Sequence, residues 1–227
     1  MGNERTEVIN NLTLHKMKNE RELLMLFYDS DNCREVLRQP FLQDGKVCAS
    51  DGHVLIRIDS SLCEGSYDEK PGGLTPPRTA SVVPAATTDI AVTRQQIERA
   101  LEQAPEERNR QCPECKGSGD VIWEYRDRHN NIHRMAERCP VCDGSGTVDD
   151  YTVIKYQFIV CGKALGYHAV KTLLAAMSWL DIDTIRLVNA DAQPMLFKPE
   201  NMDVEILLMP LIRDDELDCV TVIEKEG

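Results

Sequence analysis

Between Cys112 and Gly146 the chain repeats one eight-residue pattern. Cys112-Pro113-Glu114-Cys115-Lys116-Gly117-Ser118-Gly119 and Cys139-Pro140-Val141-Cys142-Asp143-Gly144-Ser145-Gly146 are two copies of C-P-x-C-x-G-S-G. Each Cys-x-x-Cys turn presents two thiolates to one side, and two turns supply the four soft ligands of a closed tetrahedral zinc site. The glycines tolerate positive φ, which lets the backbone fold tightly around a metal. The two pairs are 23 residues apart, slightly beyond the usual zinc-ribbon spacing. That length accommodates two strands, 121–127 and 132–138, with Arg128-His129-Asn130-Asn131 at the tip. The prediction is one structural Zn2+ per chain, held by Cys112, Cys115, Cys139 and Cys142, because four thiolates leave no position for water. A thioredoxin-like redox pair needs a βαβ context that neither pair has. His129 and His133 are alternative ligands, but they read more simply as polar residues of a hairpin tip.

The two copies resemble the C-x-x-C-x-G-x-G repeats of the cysteine-rich domain of DnaJ-type co-chaperones. In that family four repeats bind two zinc ions and follow a J domain with a His-Pro-Asp tripeptide. This chain has two repeats, enough for one zinc, and no His-Pro-Asp. The resemblance covers 112–146 and does not by itself imply chaperone activity.

The length of 227 residues suits one sizeable domain or two small ones. No apolar run approaches the roughly 18 residues of a membrane span, and the N-terminus has no apolar core of a secretory signal. Met1-Gly2-Asn3-Glu4-Arg5-Thr6 fits a loose myristoylation pattern without a second anchor. The five cysteines outside the repeats (Cys33, Cys48, Cys63, Cys161 and Cys219) are scattered and odd in number. That usage suits a reducing cytoplasm better than a disulfide framework. Cys48 and Cys161 lie in apolar runs and read as small core residues. A net charge of −12 disfavours a surface that grips nucleic acid all over, though not a local basic face.

Along the chain, 14–28 reads as a helix with Leu23, Leu24, Leu26 and Phe27 as its apolar stripe and Lys16, Lys18 and Arg21 near its start. Two Asp-Gly turns divide 40–58 into a β-meander, and Asp51 is a turn residue there rather than a catalyst. The stretch 60–88, rich in Pro and Gly, reads as a long loop or linker. Thr93 is the expected N-cap of a helix over 94–103. Beyond the repeats come a strand over 151–161, a helix over 166–180 with Val170, Leu173, Leu174 and Met177 on one stripe, and strands over 184–188, 194–198 and 204–211. The tail from 213 is acidic and reads as a solvated terminus containing a short strand, 219–223.

This C-terminal order carries a second resemblance. Gly166-Tyr167, the Val170/Leu173/Leu174 stripe, Thr184-Ile185-Arg186-Leu187, Pro194-Met195-Leu196-Phe197 and Ile206-Leu207-Leu208-Met209-Pro210-Leu211 look like the end of a bacterial DNA polymerase sliding clamp. The meander with Ala49-Ser50-Asp51-Gly52-His53 is similar to a clamp segment too, and the helix after Thr93 is similar to one that opens a clamp repeat. The implied fold class is α+β: a clamp-like domain of antiparallel sheet and two or three helices, with an inserted zinc-binding β-hairpin. Its expected parts are 1–60 (helix and meander), 61–90 (linker), 91–111 with 147–212 (second half of the body), 112–146 (finger) and 213–227 (acidic tail). The chain is shorter than a three-domain clamp, so a ring would need several copies.

The chain has no phosphate-cradling G-x-x-x-x-G-K-S/T loop, no G-x-S-x-G elbow and no clustered carboxylate pair, so a non-enzymatic binding protein is expected. One reading is a clamp-like protein acting on DNA or replication proteins, with Lys16, Lys18, Arg21, Arg94, Arg99 and Lys171 facing phosphates. The other is a co-chaperone-like or adaptor protein that binds polypeptide through the hairpin. Val121, Trp123 and Tyr125 share one side of the first strand, where Trp123 and Tyr125 could stack on peptide or bases, or Trp123 could instead pack against the body.

Overall fold

The computed structural model describes residues 17, 19–104, 110–148, 156–191, 193–214 and 217–224. The first element among the described residues is a short helix, α1 (Glu20–Met25), whose Leu23 and Leu24 are fully buried together with Phe27 just beyond. Part of the helix expected over 14–28, including Lys16 and Lys18, lies outside the described residues. Then follow β1 (Phe41–Gln43), β2 (Lys46–Ser50) and β3 (Val54–Asp59), paired as the expected meander. Asp44 and Gly45 both have positive φ (51° and 75°), the backbone that a two-residue hairpin turn of this hand requires. At the next turn Asp51 Oδ1 accepts the backbone N–H of His53 (2.7 Å) and of Val54 (2.8 Å), confirming a structural use for this aspartate.

The expected linker is loop, but it is packed rather than free. Pro71 and Thr79 are buried, and Thr79 donates both its N–H and its hydroxyl to Gln43 Oε1 on β1. A strand the sequence did not reveal, β4 (Ile90–Thr93), leads into α2 (Arg94–Gln103). Thr93 closes a full capping box with Gln96 at the start of α2. The finger contributes β5 (Arg110–Gln111), β6 (Asp120–Arg126), β7 (Ile132–Arg138) and β8 (Thr147–Val148). The body resumes with β9 (Tyr156–Val160), β10 (Lys163–Leu165), α3 (Tyr167–Trp179), β11 (Thr184–Asn189), β12 (Met195–Lys198), β13 (Val204–Leu208) and β14 (Asp218–Ile223).

Seven strands form one antiparallel sheet in the order β1-β2-β3-β13-β12-β11-β4. Its central seam pairs β3 with β13, Ile58 opposite Val204 and Ile56 opposite Ile206, so segments on either side of the finger close one sheet. A smaller sheet, β10-β9-β14, joins the main core through Phe158, Val160, Leu165, Val220 and Val222. The tail is therefore not merely solvated: β14 runs parallel to β9 and buries Val220 and Val222. The main core sets Val47, Ile56, Ile58, Ile185, Phe197 and Ile206 against Ile97 of α2 and Val170, Leu173 and Met177 of α3. The opposite face of the sheet holds a second apolar cluster, with Phe41, Cys48, Leu55, Leu196 and Leu207 joined by Leu37. On that face Arg57 and Glu205 are register partners joined at 2.7 Å, with Lys198 and Lys46 closing on the same carboxylate. A buried charge needs such partners to offset its desolvation.

Candidate metal centre and apolar pocket

The duplicated motif folds into two equivalent turns. Cys112 N–H donates to the Gly146 carbonyl (2.9 Å), and Cys139 N–H donates to the Gly119 carbonyl (2.8 Å). Gly119 N–H reaches Cys115 Sγ and Gly146 N–H reaches Cys142 Sγ, each at 3.3 Å. Ser118 and Ser145 each donate a hydroxyl back to the carbonyl of the second cysteine of their copy. The repeat in sequence is thus an approximate two-fold relation in space, with the four thiols at its centre.

The four sulfurs lie within 4.8 Å of one another, with Cys112–Cys139 at 3.8 Å and Cys115–Cys142 at 3.7 Å. Sulfurs about 2.3 Å from a tetrahedral centre stand about 3.8 Å apart, so the donor set fits a closed four-thiolate metal centre. The cysteines form their own small buried cluster, with Val121 and Val148 packed against it. Burial opposes the Cys115 thiolate, but the N–H groups of Gly119 and Gly117 and the neighbouring thiols outweigh it and bring its pKa down to about 6. The Cys115 N–H favours the Cys112 thiolate, yet burial and the adjacent sulfurs push that thiol up to about 11. A metal entering the site must therefore displace protons.

Above this base β6 and β7 pair from Asp120↔Arg138 to Arg126↔Ile132. His129 and His133 take no part in the thiol cluster. His133 Nε2 lies 3.1 Å from Asp127 Oδ2, and its ring stacks on Tyr125. Trp123 is 55% exposed and Tyr125 58%, and neither is among the hydrophobic residues packed against the main core.

The basic candidates scatter. Arg21 on α1, Arg99 on α2 and Lys171 on α3 are exposed, while Arg94 is committed to structure. Its guanidinium donates to the Ile182 carbonyl (2.8 Å) and the Met177 carbonyl (3.3 Å) beyond and within α3. Lys16 and Lys18 are outside the described residues.

A second feature escaped the sequence reading. On the sheet face opposite the main core, a cavity of about 190 Å³ opens between the sheet and the loop carrying Pro77, Thr79 and Val82. Leu37, Phe41, Val54, Leu55, Leu207 and Met209 give it an apolar lining, and Arg34, Arg78 and His53 are its charged or titratable side chains. Among the described residues that line it there is no carboxylate, thiol or lysine. The segments that carried the clamp resemblance converge here: Ser50, Gly52 and His53 from the meander, Pro194, and Leu207 with Met209. The signal was thus present in the motifs, but their convergence needed the β3–β13 pairing to become visible. Beside the pocket, His168 Nε2 lies 3.0 Å from Asp51 Oδ2, tying the start of α3 to the β2–β3 turn.

No protein-family model matches the chain, DnaJ-type repeats included, and no curated protein matches it. Solved structures similar to it include DNA polymerase III subunit beta from Borrelia burgdorferi, with 12% identity over 86% of this chain and 62% of that one, TM-score 0.45. The Helicobacter pylori beta clamp bound to a DNA ligase peptide has 11% identity over 85% of this chain and 62% of that one, TM-score 0.43. The Caulobacter crescentus DNA polymerase sliding clamp has 13% identity over 85% and 64%, TM-score 0.41. The chain thus spans less than two thirds of the length of these clamps. The likeness is distant, and the functional reading rests on this chain's own residues. No helix among the described residues is long and apolar enough to cross a membrane.

Proposed function

We propose that this chain is a non-enzymatic, zinc-stapled binding protein with a sliding-clamp-like body, working in DNA replication by docking short segments of replication proteins. The observation that carries this reading is the convergence of its clamp-like segments on one apolar pocket. At about 190 Å³ the pocket is below the roughly 300–1,000 Å³ of a small-molecule site, and suits one or two apolar side chains of a peptide. Arg34 and Arg78 beside an apolar floor favour a peptide that pairs those anchors with an acidic residue.

Zn2+, one per chain on Cys112, Cys115, Cys139 and Cys142, has a structural role in this reading. The exposed Arg21, Arg99 and Lys171 are available for non-specific phosphate contact in the cytoplasm, and encirclement of DNA would take more than one copy of the chain. The test is a titration of labelled peptides, each carrying two apolar residues beside an acidic one, against wild type, Val82→Glu and Met209→Glu. Both side chains are about two-fifths exposed, so the variants should fold. Micromolar binding weakened at least about tenfold, or 1.4 kcal/mol, by either variant supports the proposal. Undiminished binding in both, or no binding of any peptide, refutes it.

A further inference from the structure

The finger's ribbon has a side chemistry that the pocket does not explain. The β6–β7 register places Trp123 opposite Met135 and Tyr125 opposite His133, all on one face. Trp123, Tyr125 and Met135 are each more than half exposed, and the small cluster at the ribbon's base includes none of them. Tyr125 and His133 already stack, with centroids 5.0 Å apart and planes 16° from parallel. Large aromatic side chains left in water on a two-stranded ribbon mark a contact surface rather than a core.

Charge selects the partner. Between Glu124 and Arg134 the cations are Arg126, Arg128 and Arg134 and the acids Glu124 and Asp127; Arg134 Nε meets Glu124 Oε2 at 3.0 Å, which leaves Arg126 and Arg128 at the tip, in a chain of net charge −12. Asp127 is itself engaged within the turn, accepting N–H groups of His129 and Asn131 and meeting His133. The end of the ribbon is therefore a local cationic spot on an acidic protein, made by Arg128 in the turn and by Arg126 on the strand face opposite Tyr125. Alternate residues of a strand stand about 6.7 Å apart. That is about twice the 3.4 Å rise between stacked bases, so Trp123 and Tyr125 can each take a separate base.

We propose that this ribbon binds single-stranded nucleic acid, bases stacking on Trp123 and Tyr125 and phosphates meeting the arginines at its tip. A duplex hides the base faces that such a platform needs, so single strands are preferred. The two turns at the base, locked by their reciprocal hydrogen bonds, hold the strands in register before any ligand arrives. This lowers the ordering cost of binding. The inference stands apart from peptide docking, since the two sites share no residue.

The experiment is fluorescence anisotropy of a labelled oligothymidine of about 16 nucleotides with the zinc-loaded full chain, at several salt concentrations. Trp123→Ala and Tyr125→Ala should each weaken binding by about 5- to 100-fold, with Trp123→Phe retaining most of it. Arg128→Ala should lower the salt slope by roughly one phosphate's contribution. Zinc content unchanged from wild type shows that the variants remain folded, and Met209→Glu should leave oligothymidine binding intact. The proposal is overturned if oligothymidine does not bind at about 50 mM salt, or if both alanine variants bind it as wild type does. It is equally overturned if those variants abolish binding of an unfolded polypeptide while oligothymidine is ignored.

Discussion

Gly146 rests against the carbonyl oxygen of Gly117: a Cβ built on Gly146 would lie 2.6 Å from that oxygen. The other copy repeats the contact, with Gly119 held 2.5 Å, by the same measure, from the carbonyl oxygen of Gly144. The last glycine of each motif therefore serves two ends at once. It takes a positive φ, and it lets the two cysteine turns close on each other while its N–H reaches a ligand sulfur.

Gly146→Ala should consequently damage the metal site far more than the backbone angle alone predicts. We expect metal affinity to fall by about 10- to 100-fold, the range for losing support around a ligand. Gly45→Ala is the control: φ is similarly positive at 75°, but nothing lies within 4 Å of the new Cβ. Its cost should be about 1–2 kcal/mol of body stability with zinc binding unchanged. A competition titration with a chromophoric chelator, paired with a urea melt, separates the two.

Leu173 and Lys171 test the packing of α3. Leu173 is buried in the main core, and Leu173→Ala should cost about 2–5 kcal/mol. Lys171 is exposed, its Nζ 5.5 Å from the centroid of the Tyr167 ring, and Lys171→Ala should cost less than about 0.5 kcal/mol. Equal losses in urea melts would contradict the assigned helix face.

The Asp51–His168 pair gives a pH signature. The hydrogen bond to Asp51 raises His168 above 6.5, working against burial. Burial raises Asp51, but the bond from His168 and the N–H groups of Val54 and His53 outweigh it and hold the carboxyl below 3.8. The His168 contribution is complete below the free imidazole value and is lost as pH rises through the raised one. The Asp51 contribution is complete above the free carboxyl value and is lost as pH falls through the depressed one. With His168 largely exposed, the pair should be worth under about 1 kcal/mol. NMR titration of the His168 ring should return it towards 6.5 in Asp51→Asn; an unchanged midpoint would show that the contact is not formed.

How much was legible in advance depended on the range of the interactions involved. The cysteine turns, the Thr93 capping box, the Asp-Gly turns of the meander and the α3 stripe are local, and periodicity or spacing exposes them. β4 was missed because Ile90–Thr93 is a four-residue edge strand whose partner, β11, lies about ninety residues away in sequence. The tail was read by its charge, although Val220 and Val222 alternate and bury one face against β9. Arg94 counted as a free cation until the carbonyls at the end of α3 were seen to take its guanidinium. The pocket depended on β3 pairing with β13 across the 144 residues between Asp59 and Val204, a closure no local pattern encodes.

The central claim is that a four-cysteine zinc centre holds an interaction arm on a body that folds by itself. Hydrogen exchange on the zinc-loaded chain, before and after a strong chelator, tests it most directly. Structural zinc of this kind is worth on the order of 10 kcal/mol to its module. Amides of Asp120–Arg126 and Ile132–Arg138 should lose protection on chelation, as they should in Cys139→Ser without a chelator, while those of Val54–Asp59, Val204–Leu208 and Tyr167–Trp179 keep theirs. Arm protection indifferent to chelator, or loss of protection throughout the body, would contradict the account.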